Sequence, residues 1–381
     1  MPSDKFLLIK AWSYILWNDV EHVLSQLLIA ELTGRTPVVY WPTYCLHNGF
    51  INTNGFELYF EPVSEYSIFD VAKSEYTYYP PVWDEDNLLM DDPDRDKLVY
   101  RNIGDILSRK ENVVVGDVYF DLYDLIPYIK KDNPAYGMTV NQIYSYLFHK
   151  YIRLKQDIIA EINGFYRSWL SDEGPVLAVH VCAPEKDYEY NAESGRVEGS
   201  RFYPKGYQNS KDDKLQTRFK IPLFWRKREI LKANAPYHGE IKKYVDKYDI
   251  KKIFLVTNSQ AVLNEYKQKY GSMIVATKSK RAEEDEKVKY LDSYIVKRRA
   301  GIDILKDTYL ASMCDFFIGN DFSSLSHAVT IMKDWPEGNA KLLYWEYRRK
   351  KYPINADIIT IQKRNSPFAK AKKLFNKLLK R

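Results

Sequence analysis

The residues best suited to chemistry follow an apolar segment that ends at His180. Glu185, Lys186 and Asp187 come next, and Glu189 stands two positions further on. A lysine can neutralise a phosphate group, and a carboxylate can accept a proton from a hydroxyl. The segment therefore predicts an anion site with a general base beside it. A histidine at a strand end can equally be structural, and both interpretations of His180 stay open.

A second candidate site lies where an apolar segment ends at Gly319 and a helical pattern begins. Ser323, Ser324 and Ser326 stand at the start of that helical pattern. The N-terminus of a helix presents free backbone N–H groups, which bind phosphate well when hydroxyls stand beside them. We therefore predict a phosphate site at this turn. The alternative is that Ser323 is only the N-cap of the helix.

The segment Thr257-Asn258-Ser259 is a third candidate, again at a predicted strand-to-helix turn. Its side chains could contact a base, a ribose or a phosphate. Ser259 could equally cap the following helix. Two acidic clusters, Asp84-Glu85-Asp86 and Asp91-Asp92, resemble the Asp-x-Asp pattern of metal-dependent transferases. Their surroundings are rich in Pro and Asp, so we interpret them as surface charge and predict no metal cofactor.

These sites need elements that position them, and short apolar segments alternate with helical patterns along most of the chain. A strand, a helix ending at Gly34 and a second strand are predicted at 6–9, 19–33 and 37–41, which favours a parallel sheet. Residues 42–112 are irregular, and 140–170 show helical spacing throughout. Further strands are predicted at 113–116, 176–181, 253–257, 274–275, 316–319 and 342–345, and further helices at 260–270, 303–313 and 324–333.

This alternation predicts an α/β protein with two α/β halves, residues 1–170 and 171–362, and a basic helix over 363–381. Residues 184–228 form a long polar segment that begins at the carboxyl end of a predicted strand. Ligands of open α/β sheets bind outside that edge, and long loops are often functional. We expect the segment to contribute to the site; an idle surface insertion is the alternative.

The order of these motifs resembles the fucosyltransferases that use GDP-fucose, namely the α-1,6-fucosyltransferases and the protein O-fucosyltransferases. Their first motif is a strand ending in His-x-Arg followed shortly by Asp-Lys, and His180, Glu185 and Lys186 match its spacing. The segment 253–263 resembles their next strand–helix unit. Asp307, followed by Cys314 to Gly319 and the serines, resembles their third motif.

The N-terminal segment 19–39 resembles the first unit of the same two-domain glycosyltransferase B fold. The resemblance covers most of the chain outside 42–112 and the tail. It implies two Rossmann-like domains facing across a cleft. It also implies metal-independent, inverting transfer of fucose or a related sugar, from a GDP-sugar in preference, to a glycan or lipid-linked acceptor in cell-surface polysaccharide synthesis.

Site residues follow from the same resemblance. The implied donor contacts are His180, Lys186, Asn258, Asp307, Ser323, Ser324 and Ser326. The proton acceptor is expected among Glu185, Asp187, Glu189 and Asp19, with Glu21 as a further carboxylate on the acceptor side. His22 faces the cleft if Asp19 opens the first helix; otherwise it is a structural histidine of the helix.

The main departure from the family pattern is at the arginine that contacts the donor phosphate. Cys182 stands in its place, with Ala183 beside it. A thiol does not replace a bidentate guanidinium, so another basic residue must substitute, or the donor differs. Arg201, Lys205 and Arg218 are the candidate substitutes. A CMP- or UDP-sugar donor and a catalytically inactive nucleotide-sugar-binding protein are the alternatives.

The charge of the chain is unevenly distributed. Its 57 Lys+Arg and 51 Asp+Glu give a net charge of +6. Residues 363–381 contain eight positive charges and no acidic residue, so the net charge of the residues before them is −2. Residues 366–381 begin Ser-Pro, which suits a helix start, and then combine an apolar face with lysines. This pattern predicts binding to an anionic membrane surface, or a helix packed on the protein body.

Other protein classes fit the sequence poorly. No apolar run reaches the roughly 18–20 residues of a membrane helix, and the N-terminus lacks the apolar region of a signal peptide. The three cysteines are too far apart for a disulfide framework or a zinc knuckle. We therefore predict a cytoplasmic protein, peripheral at the inner face of the cell membrane. The near-neutral body argues against nucleic-acid binding, which only the tail charge would suggest.

Overall fold

The computed structural model describes residues 4–12, 15–42, 53–89, 102–171, 174–181, 188–191, 196–199, 220–221, 235–281, 294–321 and 323–343. The strands in these residues are β1 (Phe6–Lys10), β2 (Thr36–Tyr40), β3 (Tyr78–Tyr79), β4 (Val113–Gly116), β5 (Val176–His180), β6 (Tyr188–Asn191), β7 (Arg196–Gly199), β8 (Lys220–Ile221), β9 (Lys252–Val256), β10 (Ile274–Val275), β11 (Phe316–Asn320) and β12 (Ala340–Leu343). The α-helices are α1 (Leu16–Thr33), α2 (Ile68–Val71), α3 (Ile103–Ser108), α4 (Leu122–Leu125), α5 (Val140–Tyr151), α6 (Gln156–Trp169), α7 (Ala235–Tyr248), α8 (Gln260–Tyr270), α9 (Tyr294–Met313) and α10 (Ser324–Ile331).

The first sheet is parallel and has the strand order β2-β1-β4-β3. All five residues of β1 are buried because the strand lies between two neighbours and is covered on its faces. Helix α1 connects β1 to β2 and ends at Gly34, whose φ of 64° is left-handed and whose N–H bonds the carbonyls of Ala30 and Glu31. The predicted strand–helix–strand unit and its glycine cap are confirmed.

The second sheet is also parallel, with the order β10-β9-β5-β11-β12. Its central strand β5 is buried along its whole length. His180 pairs in register with Val256, and Val179 pairs with Ile318, so β5, β9 and β11 end at one edge of the sheet. The α/β class with parallel sheets is therefore confirmed, and the motifs at the three strand ends share that edge.

Several predicted boundaries were wrong. Residues 140–170 form two helices, α5 and α6, because Leu154 between them bridges to Phe60. Helix α1 begins at Leu16 rather than at Asp19. Helix α9 begins at Tyr294 rather than at residue 303, and α7 was not predicted. The predicted loop 184–228 contains β6, β7 and β8, which form an antiparallel sheet.

The two halves are in direct contact. Helix α6 precedes residue 170 but packs on α9, and its Phe165 ring lies 6.1 Å from that of Phe254 in β9. Glu161 of α6 forms ion pairs with Arg299 and Lys306 of α9. Helices α1 and α5 both pack on α10, and one buried apolar cluster includes residues of both sheets. The predicted cleft between two domains, and their boundaries, remain predictions.

None of the helices in the described ranges combines the length and the apolar character that a membrane span requires.

Candidate functional site

His180 and Ser326 are brought together at the carboxyl edge of the second sheet. The Nδ1 atom of His180 lies 2.7 Å from the Ser326 hydroxyl oxygen, although 146 positions separate the two residues in the sequence. That hydroxyl oxygen also accepts a hydrogen bond of 2.9 Å from the backbone N–H of Asn320. Burial lowers the pKa of His180 to about 4, so the imidazole is neutral at pH 7. His180 therefore ties the end of β5 to α10 and carries no charge.

Gly319 makes this close approach possible. A Cβ atom at this position would lie 2.6 Å from the ring of Phe317 and 2.7 Å from the hydroxyl of Ser326. Any side chain at position 319 would therefore displace both of these groups. The turn between β11 and α10 depends on glycine for space rather than for an unusual φ angle.

The two remaining serines of the predicted phosphate site lie at the start of α10. Ser323 occupies the N-cap position, but its side chain makes no capping hydrogen bond. Ser324 is the first residue of the helix, and both side chains are partly exposed. The N-terminus of α10 therefore presents two accessible hydroxyls beside its N–H groups, as a phosphate site requires.

Asn258 and Ser259, which follow β9, have different environments. Ser259 accepts a hydrogen bond from the N–H of Val262, which confirms its predicted capping alternative. Asn258 is exposed at the same edge as His180. Asn258 is therefore the residue of this segment that is accessible to a ligand.

Asp307 lies in a polar cluster beside the loop that follows β10. Its carboxylate accepts hydrogen bonds from the hydroxyls of Thr277 at 2.6 Å and Ser279 at 3.2 Å. Arg281 donates to the backbone carbonyls of the same two residues. Burial raises the pKa of Asp307 to about 6, although these hydroxyls and the Arg281 charge act in the opposite direction. The cluster fixes loop 276–281 at the sheet edge.

Sequence reasoning missed Thr277, Ser279 and Arg281. They follow the two-residue strand β10, and no spacing within the sequence links them to Asp307, which lies 26 to 30 residues further along the chain. The only local signal was their position after a predicted strand.

Asp321 and His327 form an ionisable pair that joins the β11–α10 turn to α10. The Nε2 atom of His327 lies 2.8 Å from the backbone carbonyl oxygen of Asp321 and 3.3 Å from its carboxylate Oδ1. The side chain of Asp321 is fully buried, whereas that of His327 is 30% exposed. Both residues stand in the motif segment, but neither had been assigned a role.

On α1 the predicted acceptor-side residues have different environments. Asp19 is fully buried and accepts a hydrogen bond from the N–H of Trp12, so its carboxylate holds the chain entering α1. His22 is also buried, with Nε2 3.2 Å from the Gly116 carbonyl oxygen; the structural interpretation suits it best. Glu21 is partly exposed and is the accessible carboxylate of the three.

The end of β1 carries a buried cation that sequence reasoning also missed. The amine of Lys10 donates to the carbonyl of Leu88 and lies 4.5 Å from the centre of the Trp83 ring. The indole N–H of Trp83 donates in turn to Asp117, which follows β4. Lys10 was missed because it follows four apolar residues, and nothing in that local sequence indicates a buried cation.

Several predicted residues lie outside the described part of the chain. These are Cys182, Glu185, Lys186, Asp187, Arg201, Lys205, Arg218, Asp91 and Asp92, together with the tail 363–381. For Glu189 the structure describes only the backbone, in β6. Asp84 is described, and its carboxylate accepts from the N–H groups of Asp86 and Asn87 within a turn. No group of three metal-ligating side chains is found where side chains are described.

The fold of the chain is similar to that of solved fucosyltransferases. A NodZ α-1,6-fucosyltransferase soaked with GDP-fucose shares 16% identity at a TM-score of 0.50, over 86% of this chain and 92% of that one. Fucosyltransferase NodZ from Bradyrhizobium gives 17% identity and a TM-score of 0.50, over 85% of this chain and 92% of that one. The predicted resemblance is therefore confirmed for the fold. No family model matches the chain, and no curated protein matches it in sequence.

Proposed function

We propose that this chain is a glycosyltransferase that moves fucose or a related sugar from a GDP-sugar to a glycan or lipid-linked acceptor. The observation that carries the proposal is the fold, which extends over most of the chain and most of a fucosyltransferase that was soaked with GDP-fucose. The polar groups at the carboxyl edge of the second sheet support it, because nucleotides bind at that edge in open α/β folds.

In the proposed reaction an acceptor hydroxyl oxygen forms a bond to the anomeric carbon while the bond from that carbon to the diphosphate breaks. Attack from the opposite side inverts the anomeric centre, and GDP is released. The hydroxyl proton passes to a carboxylate, for which Glu185, Asp187, Glu189 and Glu21 are candidates. The N-terminus of α10, with Ser323 and Ser324, and Lys186 stabilise the charge of the leaving diphosphate.

The first experiment measures nucleotide binding by isothermal titration with GDP, UDP and CMP. We expect GDP to bind and the other two to bind at least tenfold more weakly. Turnover of GDP-fucose, followed as GDP release, then separates an enzyme from a nucleotide-sugar-binding protein without catalysis, the alternative that Cys182 suggests. Preference for UDP or CMP would reject the GDP-sugar proposal.

Lys186→Ala tests the proposed stabilisation of the diphosphate. We expect this variant to lose donor-dependent transfer with little change in thermal midpoint, because the lost charge acts on the leaving group. Lys242→Ala is the matched control, because Lys242 is an exposed lysine paired with Asp246 on α7. A Lys186→Ala enzyme that remains active and saturable with donor would contradict the proposed role.

We also propose that residues 366–381 hold the enzyme at an anionic membrane surface, at the inner face of the cell membrane, where a lipid-linked acceptor for cell-surface polysaccharide would be available. The sequence pattern of apolar residues and lysines supports this proposal, since each basic residue near such a surface contributes about 1 kcal/mol.

Flotation with vesicles tests the membrane proposal. The full chain is expected to float with phosphatidylglycerol vesicles and much less with phosphatidylcholine vesicles. A chain truncated before residue 366 is expected to remain at the bottom of the gradient with both. Equal flotation of the two chains would reject the role of the tail.

A further inference from the structure

The pair formed by Asp321 and His327 occupies the turn that the proposed function assigns to the donor diphosphate. His327 lies four positions after Ser323 and three after Ser324, so it shares their face of α10. Helical side chains lean toward the N-terminus of their helix. The imidazole accordingly extends back to Asp321, on the turn that precedes the helix.

Two side chains of α10 thus hold this turn. Ser326 accepts the N–H of Asn320 and contacts His180, on the side of the sheet. His327 contacts the backbone carbonyl and the carboxylate of Asp321. The position of the N–H groups and hydroxyls at the start of α10 therefore depends on both contacts.

Protonation of His327 places a positive charge in an unusual position. A cation near the N-terminus of a helix opposes the helix dipole, so helix stability does not favour it there. Burial lowers the pKa of His327, but hydrogen bonds to Asp321 and the charges of Asp321 and Glu21 raise it above its ordinary value overall. The imidazole is thus protonated over a wider pH range than in a free histidine.

The charged groups that face this imidazole come from two elements. Asp321 belongs to the turn, and Glu21 belongs to α1, which packs on α10. Helices α5 and α9 also pack on α10. From α5, His149 instead contacts the Met332 carbonyl oxygen just past the other end of α10, at 2.9 Å.

We propose that protonated His327 is a positioning residue, which fixes the β11–α10 turn through Asp321 and so makes donor binding tighter at low pH than at high pH. This inference rests on the proposed function, because it concerns the turn at which the GDP-sugar is proposed to bind. Loss of the proton weakens the contact with the buried Asp321 carboxylate and loosens the turn. Donor affinity then falls as pH rises through the raised pKa of His327.

The test measures GDP affinity by isothermal titration between pH 6 and 8.5 for the wild type, His327→Gln and His149→Gln. Glutamine can still donate a hydrogen bond but has no charge to lose. GDP ionises identically in every titration, so the ratio of the variant Kd to the wild-type Kd isolates the protein. For His327→Gln we expect this ratio to fall from about tenfold at pH 6 toward one at pH 8.5. His149→Gln, the matched control, should have a constant ratio.

A second measurement uses only the wild type and therefore does not depend on the folding of a variant. The chain has six histidines, whose imidazole signals can be assigned and titrated by NMR. Tighter GDP binding to the protonated form requires saturating GDP to raise the pKa of His327, by about one unit for a tenfold preference.

A constant His327→Gln ratio, or a His327 pKa that GDP leaves unchanged, would overturn the inference while the proposed function remained. Failure of the wild type to bind GDP at every pH would remove the proposed function, and the inference with it.

Discussion

At the scale of single residues, His180 and Asp307 are buried ionisable side chains. Burial moves their pKa values in opposite directions. The imidazole becomes harder to protonate, with a pKa of about 4, and the carboxyl becomes harder to ionise, with a pKa of about 6. Both shifts disfavour the charged form in a poorly solvated environment. The sequence predicted that both residues belong to the site, but it did not predict their charge states.

Asp307→Asn is predicted to remove a pH-dependent loss of stability. Because the folded-state pKa is raised from 3.8 to about 6, the unfolded chain ionises first, and the free energy of unfolding falls as pH rises through this interval. The shift corresponds to up to about 3 kcal/mol. The thermal midpoint of Asp307→Asn relative to wild type should therefore increase between pH 4 and 7.5.

The comparison isolates the ionisation of Asp307, because asparagine is close in size to the protonated carboxyl and has no charge to gain as pH rises. Asp246→Asn, an exposed carboxylate on α7, provides the control and should differ from wild type by a constant amount. If the difference in thermal midpoint between Asp307→Asn and wild type did not grow with pH, the pKa of the Asp307 carboxyl would not be raised.

At the scale of elements, the β11–α10 connection depends on close packing of strand against helix. Phe317 is fully buried, so its ring has little freedom to yield to a new atom at position 319. The local sequence correctly predicted a strand, a glycine turn and a helix. It did not indicate that Ser326, rather than Ser323, is the serine bonded to the sheet.

Gly319→Ala is predicted to destabilise the protein by about 1–3 kcal/mol, the usual cost of overpacking a core. GDP affinity should fall as well, because the new methyl group displaces Ser326. Urea denaturation and isothermal titration measure the two effects. The control is Gly164→Ala within α6, where nothing lies within 4 Å of the new Cβ atom; it should gain up to about 1 kcal/mol from helix propensity. Equal stability of the two variants would refute the packing argument.

At the scale of the whole molecule, the helices of the two halves share contacts. The indole N–H of Trp17 in α1 donates to the hydroxyl of Thr308 in α9 at 2.9 Å, and both residues are buried. Because the main apolar cluster includes residues of both sheets, neither half has a complete core without the other. We therefore expect the described body to unfold cooperatively.

Trp17→Phe is predicted to lower the stability of both halves together by about 2 kcal/mol, through a lost buried hydrogen bond and a cavity. Calorimetry should show one transition that moves to lower temperature. Trp169→Phe is the control, since Trp169 is 57% exposed and should matter little. Two separate transitions, only one of them shifted, would show that the halves are independent.

The sequence by itself determined the features that depend on neighbouring residues. Apolar periodicity predicted most strands, the helix 260–270 and the Gly34 cap, and the order of motifs identified the fold. The antiparallel strands within 184–228 were missed, because local periodicity did not indicate strands in this long polar segment. Helix breaks were also missed where a distant contact, such as Leu154 with Phe60, ends the helix.

The tertiary structure alone decided which side chains meet. The strand order of the second sheet places β5 beside β11, and therefore brings His180 to Ser326. The same folding buries Asp19, leaves Glu21 accessible and joins Asp307 to Thr277. These contacts join residues far apart in the chain, and their geometry depends on the packing of whole elements. No local pattern of residue types specifies that packing.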